Sequence, residues 1–294
     1  MLIYFKLLLT ALFWGGTFIA GRVVSRYIPP FSAAFLRFAI ASAILLMILH
    51  QVEGQFPRLK RNQILPLILL GLTGIFTYNF FFFKGLKFVA AGRASLIVAT
   101  NPIFVTVLSS VFLRERLNWL KAAGILLSVT GALVVISRGN FAELTNGPVS
   151  WGEFYIFGCV LSWVTYTLIG KIVMKDLSPL TSAAYSATLG TFALLIPAYF
   201  EDVFQNLSQY SKLEWLSLFY LGFFGVVLGF LWYYEGIKKI GASKASQFIN
   251  FVPISAIVLG FLLLGEPIAP SLIAGAALVI TGVYLTNSAK MKSP

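Results

Sequence analysis

Acidic residues are few in this sequence: ten Asp and Glu among 294 residues, with one histidine and one cysteine. The single cysteine, Cys159, permits no intrachain disulfide, and its place inside an apolar run reads as a small buried residue. There is no HExxH, no P-loop and no aspartate-rich metal motif, and the one histidine, His50, falls at the end of an apolar run. The residue sets that metal-dependent or phosphate-cleaving chemistry requires are missing, so no enzyme, cofactor or resident metal is expected. Charge of either sign is scarce as well. Only 11% of the residues are charged, where a soluble domain carries about a quarter.

Apolar length takes the place of charge. Hydrophobic residues make up 59% of the chain and the mean hydropathy is +0.88, more apolar surface than a soluble fold hides. A spanning helix needs about 20 mostly apolar residues. Ten such runs can be read, at roughly 3–25, 31–50, 64–83, 88–113, 118–137, 151–174, 179–200, 214–235, 243–264 and 270–288. The first is too long for a secretory signal and lacks a small-x-small cleavage site, so it reads as a spanning helix. The expectation is an all-α polytopic membrane protein, with the lipid bilayer as a partner.

A net charge of +12 would point to nucleic acid in a soluble protein. Here Lys and Arg sit mostly in the short links between apolar runs, as in cytoplasmic loops, and no nucleic-acid partner is expected. Fourteen of them fall on the side holding both termini and seven on the other, which predicts cytoplasmic termini. Nearly all of that bias comes from the second half.

The chain repeats itself. Residues 85–131 slide onto 236–282 without a gap, at an offset of 151, with 16 identical pairs among 47. Pro102/Pro253, Glu115/Glu266, Gly124/Gly275 and Gly131/Gly282 are among them. Upstream, "LFWGGTFIAGRVV" (12–24) matches "LSWVTYTLIGKIV" (161–173) at an offset of 149, which aligns Trp14 with Trp163. Each unit, 1–139 and 150–290, holds five runs. An odd number sends the second unit into the membrane from the opposite side, so the repeats are expected to be inverted, as in many secondary transporters.

These residues resemble the drug/metabolite transporter superfamily, specifically its EamA-type members. The resemblance is carried by "LFWGGTF", "LRFAIASAILL", "KGLKFVAAGRASLIVATNPIFVTVLSSVFLRERLNWLKAAGILLSVTGALVV" and, in the second unit, "EGIKKIGASKASQFINFVPISAIVLGFLLLGEPIAPSLIAGAALVITGVYL". It covers essentially the whole chain as two EamA repeats, and it departs at "FLRERLNW", where the second unit has "LLGEPIAP". The resemblance implies a ten-helix bundle around a central cavity, with helices 5 and 10 peripheral, and alternating-access movement of a small metabolite. An amino acid or related compound is the expected substrate and export the expected direction. A channel and an intramembrane enzyme are the rival readings.

Candidate substrate-binding residues follow from polarity and aromaticity inside the runs. Arg37 lies seven residues after Pro30, about 10 Å into the second run at 1.5 Å per residue. A charge at a helix centre there costs about 2.5–3.5 kcal/mol on insertion scales and must face protein or water. Its fork of donors suits a carboxylate or phosphate; a structural bridge to carbonyls is the competing role. Trp14, Tyr78, Asn79, Trp163, Tyr166, Trp232 and Tyr233 are candidates for an apolar cavity with few polar groups. Asn101, Gln247 and Asn250 lie beside the paired prolines, and Pro102 and Pro253 are expected hinges, since matched interruptions in two repeats point to the site. Glu115 and Glu266 are read as caps at helix ends rather than proton carriers. The seven-residue glycine spacing at Gly124/Gly131 and Gly275/Gly282 suggests close helix packing within a monomer, or the face of a weak homodimer.

Overall fold

The structure is a computed structural model, and it describes residues 1–89, 91–113, 118–137, 140, 151–264 and 270–288. Glu115 and Glu266 lie outside the described residues. Within hydrocarbon an apolar run must satisfy its own backbone groups, and helix is the regular structure found throughout the described residues. The helices are α1 (Leu2–Tyr27), α2 (Pro30–Glu53), α3 (Arg61–Phe88), α4 (Ala91–Val98), α5 (Asn101–Phe112) and α6 (Trp119–Ile136). The second half supplies α7 (Trp151–Val173), α8 (Pro179–Phe200), α9 (Lys212–Ile240), α10 (Ala242–Ser246), α11 (Phe251–Leu264) and α12 (Pro270–Ser288). Among the described residues, seven stretches are long and apolar enough to cross a membrane: α1, α2, α3, α7, α8, α9 and the run Ala242–Leu263. Asn101–Phe112, Trp119–Gly131 and Ile273–Thr286 are apolar and shorter.

Two departures from the sequence expectation bear on function. The run expected at 88–113 is two helices, broken at Ala99 and Thr100. Pro102 sits in the first turn of α5, where a missing N–H leaves no helical bond unmade. Its counterpart Pro253 sits in the first turn of α11, behind a tight 3-10 segment, Gln247–Asn250. Pro102 thus begins a helix after a two-residue break, whereas Pro253 follows a 3-10 segment inside the run Ala242–Leu263. The second departure is that α3 and α9 are longer than expected and each contains a π-helical stretch, Gly71–Thr77 and Leu221–Leu228.

Polar contacts fix the two ends of the bundle. At one end the Glu53 carboxylate, at the last residue of α2, accepts hydrogen bonds from Ser178 Oγ (2.8 Å) and Thr181 Oγ1 (2.9 Å) at the start of α8. At the other, Glu201 just after α8 accepts from the backbone N–H (2.6 Å) and hydroxyl (2.9 Å) of Ser32 at the start of α2. Each carboxylate therefore sits at the positive N-terminus of the opposing helix. The two helices run antiparallel and cap each other. We call the Glu53 end proximal and the Glu201 end distal. Lys6–Glu235 and the Lys238–Leu177 carbonyl contact also lie proximally.

α6 and α12 pack chiefly on each other. A Cβ at Gly131 would stand 2.7 Å from the Gly275 carbonyl, and one at Gly124 would stand 2.6 Å from that of Gly282. The glycines are the contact itself, and their face is occupied within the chain.

Candidate functional site

A small cavity of about 30 Å³ lies where the two halves meet. Its lining alternates between sequence-related positions: Trp14 with Trp163, Val98 with Ile249, and Asn101 with Val252. Thr17, Phe18, Arg37, Tyr78 and Phe82 complete one wall, and Phe230 the other. Trp14 and Trp163 meet edge to face at 5.1 Å, so the duplicated tryptophans touch at the centre of the bundle.

The polar groups come unequally from the two halves. Arg37, Asn79 and Asn101 belong to the first, and their counterparts at offsets of 149 and 151 are Ser186, Phe230 and Val252. Arg37 is 4% exposed, with Nε donating to the Leu221 carbonyl (3.2 Å) and Nη1 to Asn79 Oδ1 (3.0 Å). Asn79 is turned to present that oxygen because its Nδ2 donates to the Ile75 carbonyl at 2.7 Å. Both carbonyls belong to the π stretches. A π turn skips the ordinary i−4 pairing, and it leaves oxygens for side chains. The same stretch of α9 offers the Gly225 carbonyl, which accepts from Trp14 Nε1 at 2.9 Å.

Neither hydrogen bond of Arg37 goes to a carboxylate, and no ion pair to it is seen among the described residues. Its guanidinium instead lies 5.4 Å and 6.0 Å from the Phe38 and Phe82 rings. Asn101 brings an amide with neither atom hydrogen-bonded, and Trp163 a buried indole N–H without a partner. A fixed cation, an adaptable amide and an N–H donor set in aromatic walls can hold a small molecule with an anionic end and an apolar body.

The other candidates fall into three places. Asn79, Tyr166 and Tyr233 stand directly behind the lining: Tyr166 lies 5.3 Å from the Trp163 ring and stacks on Tyr234 at 5.0 Å, and Tyr233 lies 5.4 Å from Trp163. Gln247 and Asn250 are fully buried in the 3-10 segment and do not line the cavity. Trp232 does not line it either, since its ring faces Phe13 at 6.0 Å and the Lys6 ammonium at 5.8 Å. Sequence reasoning missed the apolar lining, such as Phe82 and Phe230, and the π stretches. A signal for the latter existed: Gly71/Gly222 and Gly74/Gly225 carry the same offset of 151 as the rest of the repeat.

An all-helical bundle with several membrane-crossing helices and an interior cavity defines an integral, multi-pass membrane protein. The model of the EamA-like transporter family matches it twice, over residues 1–137 and 150–288, and the chain belongs to that family. It is 34% identical to "Uncharacterized transporter YyaM" of Bacillus subtilis, over 99% of this chain and 95% of the relative. A Streptantibioticus cattleyicolor protein named "Probable terminal-alkyne amino-acid exporter" is 29% identical, over 96% of this chain and 92% of its own. A solved crystal structure shares the fold with a TM-score of 0.74 and 20% identity, covering 95% of this chain and 94% of that one.

Proposed function

We propose that this protein is a secondary transporter that exports a small carboxylate-bearing metabolite, an amino acid or a related compound, by alternating access. The observation that carries the reading is Arg37, buried, lacking a carboxylate partner and lining a cavity with apolar walls. The name of the amino-acid exporter among the relatives supports the substrate class. The shorter segments complete ten crossings in two inverted five-helix units, with both termini in the cytoplasm and the inner membrane as the site. The reciprocal capping of α2 and α8, which run opposite ways at equivalent positions, supports the inversion.

The test is counterflow into proteoliposomes, after a thermal-shift screen with amino acids and related carboxylates identifies a ligand. A carrier shows exchange acceleration and a channel does not. Arg37→Gln should retain folding and membrane insertion and lose at least tenfold in uptake of that ligand. Unchanged uptake would remove the assignment.

A further inference from the structure

Seven polar side-chain atoms on five residues of α5 and the 3-10 segment lie buried without a hydrogen-bond partner: both amide atoms of Asn101, the hydroxyls of Thr106 and Ser109, Gln247 Oε1, and both amide atoms of Asn250. Each of these residues is at most 1% exposed. Asn101, Thr106 and Ser109 are on the buried face of α5, which packs against α10, the 3-10 segment and α7 in the proximal half. Asn101 also lines the cavity, so the seam starts at the candidate site and runs toward the proximal end.

Buried polar groups are normally paired, and a concentration of unpaired ones asks for a reason. The fold does not require it. The distal half has the related contact, α4 against α11, and there the sequence counterparts of these five residues are Val252, Ile257, Gly260, Leu96 and Ala99. Five polar residues on one side face five apolar ones on the other.

We infer that the α5–α10 seam is the proximal half of the translocation route, shut here and hydrated when the protein opens toward that end. The inference rests on the carrier reading above. Amides and hydroxyls offer a carboxylate and its waters hydrogen bonds to replace those at Arg37. The helix breaks at 99–100 and 247–250 lie at the head of the seam, where α5 and α10 can separate while α4 and α11 stay packed.

Cysteine accessibility tests this and needs no substrate. In a Cys159→Ala background, Thr106→Cys, Ser109→Cys and Gln247→Cys should react with a charged, membrane-impermeant methanethiosulfonate added from the proximal face. Ile257→Cys should stay silent from the proximal face. Exposed reference cysteines at Tyr27 and Arg58 report which face the reagent reaches. Thr106→Val, which removes an unpaired hydroxyl at nearly constant shape, should raise the Tm and slow the labelling of Ser109→Cys. Seam cysteines silent from the proximal face, or a Thr106→Val protein less stable than the wild type, would overturn the assignment. Because labelling is read without ligand, that failure is separable from a failure of counterflow, which would count against the carrier itself.

Discussion

A charged side chain buried in a membrane protein pairs with another charge or with backbone carbonyls, and Arg37 is matched by a carbonyl and an amide oxygen. Both fix its plane, and neither cancels its charge. Placing the charge was possible from sequence, because an arginine seven residues into an apolar run has few roles open to it. Its partners were not readable, because the Leu221 carbonyl belongs to the π stretch of a helix 184 residues away. Asn79 offers a sharp probe, since Asn79→Asp keeps the shape and supplies the missing negative charge at hydrogen-bond distance. The protein should keep or raise its Tm and lose at least tenfold in affinity for an anionic ligand, measured by thermal shift and by binding. Asn79→Leu removes the acceptor instead and should destabilise the fold by about 1–3 kcal/mol, the range for leaving a buried polar group unpaired. An Asn79→Asp protein that binds the anion as before would mean that Arg37 does not meet it.

At the scale of helices, the duplicated prolines were legible and their setting was not. Sequence shows where a helix is interrupted; how it is interrupted depends on neighbours, and here the first copy breaks at 99–100 while the second tightens to 3-10 at 247–250. The repeat also links contacts at the two ends of the bundle. Proximally, Lys6 Nζ lies 2.7 Å from Glu235 Oε2 and joins α1 to α9. The counterparts are Tyr155 and Lys84, and distally Lys84 Nζ stands 5.7 Å from the Tyr155 ring, joining α7 to α3. An ion pair partly open to solvent contributes about 0–1 kcal/mol, and an exposed cation–aromatic contact about 0.5–1 kcal/mol. On the carrier reading, latches this close in strength would let both ends open in turn. Glu235→Gln should therefore shift the balance toward the proximal-open form by no more than about fivefold, given that 1.4 kcal/mol is tenfold. The labelling rate of Ser109→Cys from the proximal face measures the shift. A rate equal to that in the Glu235 parent would show that the ion pair does not hold this end shut.

Across the whole molecule, the duplication was readable because Trp, Pro and Gly recurred in one register, whereas the reciprocal caps were not. Glu53 and Glu201 lie at helix ends among other polar residues, and nothing in the sequence says which helix each will cap. Sidedness is also a property of the whole chain. The first half divides its Lys and Arg seven to six between the two sides and the second seven to one, so the second half decides the orientation of both. Three of those charges, Lys238, Lys239 and Lys244, flank the short link at Gly241, within reach of the membrane surface. A triple substitution, Lys238→Ala, Lys239→Ala and Lys244→Ala, reduces the second-half split from seven to one to four to one. The overall count falls from fourteen against seven to eleven against seven. A reporter that fluoresces only in the cytoplasm, fused after Pro294, should be active in the wild type and give a mixed population in the triple variant. A wild-type fusion inactive in the cytoplasm would place the proximal end outside. The seam would then lead outward from the cavity, and the cation that holds the substrate would face its uptake and not its export.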